Sequence, residues 1–394
     1  MSAQAPNQPR RGRILVAGAI AAQPIGGGGN TWAFLQYVLG LKRLGFEVFY
    51  VEELSAERSF DAQWNPKPLL LSYNAAYFLE VVRAFDLVEH AALWLDSDPS
   101  VGVGLSFADV EAVAKSADAI LNLSGRMHRQ EVLQGPAKRI YVDLDPGFTQ
   151  IWQEQYGVDM NLQGHDAYFT VGLCLPFEEC NVPRCGISWK ATVPPVVLEA
   201  WHTEVPPGLR YTTVADWRGY SPVEWQGKWY GQKSEEFLRV LDLPRRTQAE
   251  LELCLAIHPD EPDRNALLRA GWRLVDPRVQ AKDPTAYRDY IHHSRGEFTV
   301  VKNGYRVGRT GWFSDRSACY LASGRPAIVQ ETGFSRVLPT GFGLVSFTTI
   351  EEACEALQAV ESNYDRHARK ARELAREHFD SDVVLERMLN LAGV

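Results

Sequence analysis

A chain of 394 residues, 45 % apolar and 23 % charged, is long enough for about two globular domains and has their ordinary composition. Its net charge of −8 is the wrong sign for a general nucleic-acid binder, so no nucleic-acid partner is expected. No apolar run approaches the roughly 20 residues that cross a bilayer, which excludes a spanning helix and points to a cytoplasmic protein.

The opening MSAQAPNQPRRGR reads as a disordered tail over 1–11, and ILVAGAIAA as a buried first strand rather than a signal segment. The loop AQPIGGGGN follows. TWAFLQYVLGLKRLG then spaces Phe34, Leu35, Val38, Leu39 and Leu41 as a helix, with Asn30 placed to cap it and Gly45 to end it. FEVFYVEE completes a strand–glycine loop–helix–strand unit. A helix near Phe107–Ser116 and strands at Ala119–Asn122, Arg139–Asp143 and Ala167–Val171 extend the alternation into a Rossmann-like, doubly wound domain over 12–185.

Bare backbone N–H groups before a helix suit an anion. The dinucleotide spacing G-x-G-x-x-G fails, however, because Thr31 or Trp32 occupies its last position. Gly26, Gly27, Gly28, Gly29, Asn30 and Trp32 are therefore expected to line a cleft beside a bulky ligand. Asp143 and Asp145 end a strand before a Pro-Gly turn, and His128 follows a strand beside Arg126. All three are candidate bases for an acceptor hydroxyl, although turn carboxylates also satisfy local N–H groups.

Two Pro-Pro pairs mark a linker over 186–208. A second alternation over 209–378 starts with LRYTTVADW, whose strand ends at Asp216. It continues through a helix near Glu235–Val240 and strands in Leu251–His258, WRLVDP, EFTVVKN and PAIVQE. Lys228 and Lys233 are candidates for phosphate. The chain becomes helix-rich from Ile350 and closes on SDVVLERMLNLAG, within 379–394. Cys174, Cys180 and Cys185 lack the paired C-x-x-C spacing of a zinc site, so reduced thiols and no metal are expected.

The segment TGWFSDRSACYLASGRPAIVQETG, Thr310–Gly333, is the densest in local signals. Ser314 is a candidate N-cap for a helix from Asp315 to Ala322. Arg316 lies in its first turn, where the helix dipole disfavours a cation unless an anion is near. Arg306 and Arg309 flank the preceding GYRVGRTG, so arginines and a helix start predict a diphosphate site. Gln330, Glu331, Thr332 and Gly333 emerge at the end of the next strand, where α/β proteins bind ligands. Trp32 and Trp312 are candidate flat platforms for a sugar.

LASGRPAIVQETG resembles the helix–Gly-x-Pro–strand unit of glycosyltransferases with the two-Rossmann GT-B fold, and TGWFS is similar to the opening of their plant-type donor box. Similarity of organisation covers nearly the whole chain, whereas motif-level similarity is confined to the last third. The resemblance implies two Rossmann-type domains facing a cleft, with a C-terminal helix crossing back to the first. It implies transfer of a sugar from a nucleoside-diphosphate sugar to a small-molecule or cell-envelope acceptor, with no cofactor. Asp216, Lys233, Arg309, Ser314, Asp315, Arg316, Gln330, Glu331, Thr332 and Gly333 would hold the donor. The chain departs from the pattern where a ribose-binding acid is usual, at Ala318-Cys319-Tyr320, and lacks the paired-glutamate spacing of the retaining branch. A sugar-nucleotide epimerase of the same shape and an NAD(P)- or FAD-dependent oxidoreductase are the alternatives.

Overall fold

The computed structural model describes residues 11–394. The expected tail over 1–11 lies outside the described residues except for Arg11. That residue is held: its N–H donates to Gly45 O at 3.1 Å, and its guanidinium pairs with Glu386 at 2.5 Å.

The first sheet contains β1 (Arg13–Ala17), β2 (Glu47–Leu54), β3 (Ala91–Leu95), β4 (Gly102–Gly104), β5 (Ala119–Leu123), β6 (Lys138–Asp143), β7 (Ala167–Thr170) and β8 (Lys190–Ala191). Their order is β4-β3-β2-β1-β5-β6-β7-β8, parallel except for the β3–β4 pair. The second half contributes β9 (Arg210–Asp216), a hairpin of β10 (Val223–Trp225) and β11 (Lys228–Tyr230), β12 (Glu250–Ala256), β13 (Arg273–Val275), β14 (Gly296–Thr299), β15 (Ala327–Gln330) and β16 (Leu344–Phe347). Apart from the hairpin these form one parallel sheet in the order β13-β12-β9-β14-β15-β16. Continuous apolar runs such as Ile14–Ala17 and Ile328–Val329 are buried because helices cover both faces. Strand order reverses between β1 and β5 in one sheet and between β9 and β14 in the other. Such reversals open a crevice at the strands' C-terminal ends.

Sequence and structure differ in three places. The first long helix runs Gly28–Arg43 with Gly27 as its cap residue, so Asn30 is not the cap. The Asn30 amide instead donates to Ala19 O at 2.8 Å and ties helix to loop. The connection over 186–208 is not featureless, since it contributes β8 and a helical turn, Leu198–Trp201. The helix Tyr73–Ala84, strands β3 and β4, and the β10–β11 hairpin were not anticipated.

The returning chain meets this connection at one point. Helix Tyr364–Leu374 passes through a single π turn, Ala375–Phe379, before the last helix, Ser381–Ala392. There the Val196 N–H donates to Phe379 O at 2.7 Å, and Ser381 N–H donates to Val196 O at 2.9 Å. The last helix then packs on the first domain, where Arg43 of helix Gly28–Arg43 holds Asp382 at 2.9 and 3.0 Å.

Candidate functional site

The two strand-reversal crevices face each other, and side chains from both halves meet between them. Asp145, just beyond β6, receives Lys302 Nζ at 3.1 and 3.2 Å, Tyr220 OH at 2.6 Å and Tyr305 OH at 2.5 Å. Lys302 also donates to Tyr220 and lies 4.3 Å from that ring's centre, a cation–π contact. Asp145 belongs to the first half and its three partners to the second, so this cluster joins the halves.

Asp143 is fully buried and faces inward. It accepts from Thr149 Oγ1, Gln150 Nε2, Thr170 Oγ1 and Asp145 N, all between 2.8 and 3.1 Å. Four donors leave it no lone pair for an acceptor hydroxyl, so its geometry is that of a structural carboxylate. His128 is exposed: its backbone N–H donates to Glu53 at 2.8 Å, and its ring makes no hydrogen bond among the described residues.

Ser314 is the N-cap of helix Asp315–Ala322, its Oγ accepting from Arg316 N at 3.2 Å. The anion that the Arg316 position demanded is present, but it comes from the protein. Arg316 is 7 % exposed, and its Nε donates to Glu297 on β14 at 2.5 Å. Its other nitrogens reach Val214 O at 2.8 Å and Thr299 Oγ1 at 2.9 Å. The predicted convergence of arginines also fails. Arg306 is paired with Glu236 at 2.9 Å, while Arg309 is an exposed helix-terminal residue near Cys174 and Glu179.

The strand-end polar groups are committed in the same way. Gln330 is buried, accepts from Val301 N at 3.2 Å and donates to Glu236 at 2.6 Å. One Glu331 oxygen accepts from Thr332 N at 3.0 Å and Gly333 N at 2.5 Å, capping the turn that follows. Thr332 Oγ1 donates to Trp312 O at 2.8 Å. Trp312 stacks on Tyr305 with ring centres 4.4 Å apart, and Trp32 packs between Phe85 and Trp201 while its Nε1 donates to Pro284 O. Both indoles are buried core residues rather than open platforms.

The glycine loop packs directly on the second domain. Gly28 N donates to Ala281 O at 2.9 Å, and a Cβ on Gly28 would sit 2.2 Å from Asp283 O. On Gly29 a Cβ would meet the Tyr287 ring at 2.8 Å. At Gly28 and Gly29 the glycines permit close approach of protein to protein, not of protein to ligand.

Lys233, at the start of helix Lys233–Arg239, is different. It is half-buried, its amine makes no hydrogen bond or ion pair among the described residues, and it lies near Arg316, Lys302, Asp216 and Glu297. Burial first, then the Arg316 and Lys302 charges, push its pKa down to about 7, against the opposing pull of Asp216 and Glu297. Asp315 is close enough to Lys233 and Arg316 for both to lower its pKa, but burial outweighs them and raises it. Glu297 Oε2 is buried without a partner among the described residues. Lys233 is thus a cation with an open valence, the property that the sequence had assigned to Arg316. The sequence names Lys233 among several candidate cations, and the structure separates it from them because Arg306 and Arg316 are paired within the protein.

A second open region lies at the reversal crevice of the first sheet. A cavity of about 820 Å³ is lined by Ala19, Glu53, Arg58, Arg126, His128 and Arg129, among others.

No protein-family model matches the chain, and no curated protein matches it. Solved structures do. An alpha-glucosyltransferase in complex with UDP and a 13-mer DNA containing an HMU base aligns over 97 % of this chain and 99 % of its own, at 10 % identity and TM-score 0.60. HepE of Anabaena, in complex with UDP and glucose, aligns over 98 % and 100 % at 12 % identity and TM-score 0.57. AviGT4, a glycosyltransferase involved in avilamycin A biosynthesis, aligns over 97 % of both chains at 13 % identity and TM-score 0.56. Near-complete coverage in both directions, with two facing parallel sheets and a helix crossing back, shows that this chain has the GT-B fold.

Proposed function

We propose that the chain is a glycosyltransferase that moves a sugar from a nucleoside-diphosphate sugar to a small-molecule or cell-envelope acceptor, without a metal. The observation that carries this reading is Lys233: an unpaired cation at the C-terminal edge of the second sheet, turned toward the groups that join the halves. A diphosphate beside Lys233 would supply the missing anion and favour its protonated form. The same charge would then stabilise the negative charge that grows on the diphosphate as the sugar leaves. The UDP found with several structural neighbours supports a nucleotide ligand.

The 820 Å³ cavity of the first sheet would take the acceptor. Of the three candidate bases, Asp143 and Asp145 are saturated by donors, and only His128 keeps an uncommitted side chain, on the wall of that cavity. Where the transfer uses a base, His128 would accept the proton of the attacking hydroxyl. That oxygen would bond to the sugar's anomeric carbon as the carbon–phosphate oxygen bond breaks.

Thermal unfolding with UDP, ADP, GDP, dTDP, NAD(P) and FAD tests the reading, since a ligand that binds only the folded chain raises its midpoint. A rise with one of the nucleoside diphosphates, lost in Lys233→Ala, is expected. A rise with NAD(P) or FAD alone would sink the transferase reading. Among acceptors, DNA belongs in the panel as a control, because four neighbouring structures were solved with it.

A further inference from the structure

The first-sheet cavity has an uneven charge distribution. Its acidic and basic groups are Glu53, Asp96, Glu131, Arg58, Arg126, His128 and Arg129. Glu53 and Arg129 are engaged with each other at 3.7 Å; Glu53 also accepts from His128 N, and Arg129 donates to Asp96 O. Arg58 and Arg126 remain, and neither guanidinium makes a hydrogen bond or ion pair among the described residues. The two guanidiniums are near enough to repel each other. Arg126 keeps an open face to solvent but is crowded by protein, and that desolvation, with the Arg58 charge second, lowers its pKa.

The backbone that presents Arg126 is held fast. Ser124 and Gly125 both adopt left-handed φ, 54° and 67°, which for serine costs about 1–2 kcal/mol. Buried amides clamp the turn: Asn122 accepts from Met127 N at 2.9 Å and donates to Met127 O at 3.2 Å. Asn161 donates to Gly125 O at 3.2 Å and to Met127 O at 2.5 Å. On the opposite wall, buried Glu52 accepts from Ala21 N and Ala22 N at 3.0 Å and fixes the loop after β1. Two like charges thus line one cavity at the sheet's reversal crevice, Arg126 on a clamped turn and Arg58 on the exposed turn Ala56–Arg58, and the acid that acts on Arg126, buried Glu52, is bonded to the Ala21 and Ala22 N–H groups. In Arg316 and Arg306 the same fold pairs such a group internally.

We propose that Arg58 and Arg126 form an oxyanion site, and that the acceptor this chain glycosylates carries a carboxylate or phosphate bound there. The acceptor role rests on the transferase reading; the anion site does not. Planar guanidiniums match either oxyanion through paired N–H donors. Asp96 and Glu131, exposed on the same cavity wall, leave room for a cationic or hydroxyl-rich portion of the same molecule.

The test is calorimetric titration of the full chain with phenyl phosphate, benzoate and phenol, each with and without saturating UDP to occupy the diphosphate side. Both anions are expected to bind in the presence of UDP and phenol not to bind. Arg58→Gln and Arg126→Gln should each weaken the anions about tenfold or more, since charge-assisted hydrogen bonds are lost. Arg126→Lys should recover part of that loss, and UDP affinity should stay unchanged in all three. A phosphate preference over benzoate assigns a phosphorylated acceptor, the reverse a carboxylic acid, and both support the site. Equal binding of phenol, or anion binding indifferent to both glutamine variants, overturns it. Failure of UDP to bind the unsubstituted chain strikes the transferase reading instead, and the titrations without UDP still decide the anion site.

Discussion

The segment Thr310–Gly333 and the helix start at Lys233 lie on the same side of the second sheet and invite the same ligand, yet they are built in opposite ways. In the segment the polar groups that suggested a ligand have protein partners: Arg316 has Glu297, Gln330 has Glu236, Thr332 has Trp312 O. Lys233 has none among the described residues, and burial, with the Arg316 and Lys302 charges second, lowers its pKa. A motif rich in polar residues can therefore be a joint of the scaffold, and a plain lysine beside it the point that still needs an anion. Buried charges are paired because an unpaired one costs several kcal/mol. One left unpaired at the edge of a crevice meets that cost by giving up its proton more readily, and an anion from outside the chain would restore the charge.

The comparison breaks most visibly at Arg316. Arg316→Ala leaves Glu297 buried without its cation and should cost about 3–5 kcal/mol of stability, read by denaturant unfolding. Loss of nucleotide binding with full stability would show instead that Arg316 serves a ligand. Gln330→Ala strands Val301 N and one Glu236 oxygen, and about 1–3 kcal/mol should be lost, again with any remaining folded protein binding UDP normally.

The smallest stability effect, with the opposite sign, is expected at Lys233. Its folded pKa is lowered to about 7 from the ordinary lysine value of 10.5. The charged form is penalised in the folded state, so the penalty is fully present below pH 7 and fades as pH rises toward 10.5. Lys233→Met should therefore match or exceed the parent chain's stability at pH 6, with the gap closing by pH 10. Nucleotide affinity should run the other way. UDP needs the charged amine, so its binding to the parent chain should weaken by up to about tenfold per pH unit above 7 and should lose that dependence in Lys233→Met. A flat pH profile in the parent chain would separate Lys233 from the nucleotide.

The fold was legible because its signals are local. Apolar runs at Ile14–Ala17 and Ala327–Val329, the Ser314 cap and the Gly45 stop each act within a few residues. The site was not, because it depends on pairings across the chain. Glu297 lies 19 residues before Arg316 and on a neighbouring strand, and the partners of Asp145 are 75, 157 and 160 residues away. Nothing in SDRSACYLA says whether the anion that its arginine requires will arrive with a ligand or is already supplied by β14. The glycine run shows the same limit: it announced a close approach, but the approaching group is the backbone of Asp283.

The crossing at Val196 gives the two halves a shared pivot. Both covalent connections pass through one pair of backbone hydrogen bonds, so any swing of the halves would bend both connections at the same place. The pivot is also geared to the crevice. Phe379 at the crossing stacks on Phe313 with ring centres 5.1 Å apart, and Phe313 immediately precedes the cap of helix Asp315–Ala322. A bend at the crossing must therefore shift the start of that helix, and a molecule that presses on the helix start exerts torque on the hinge.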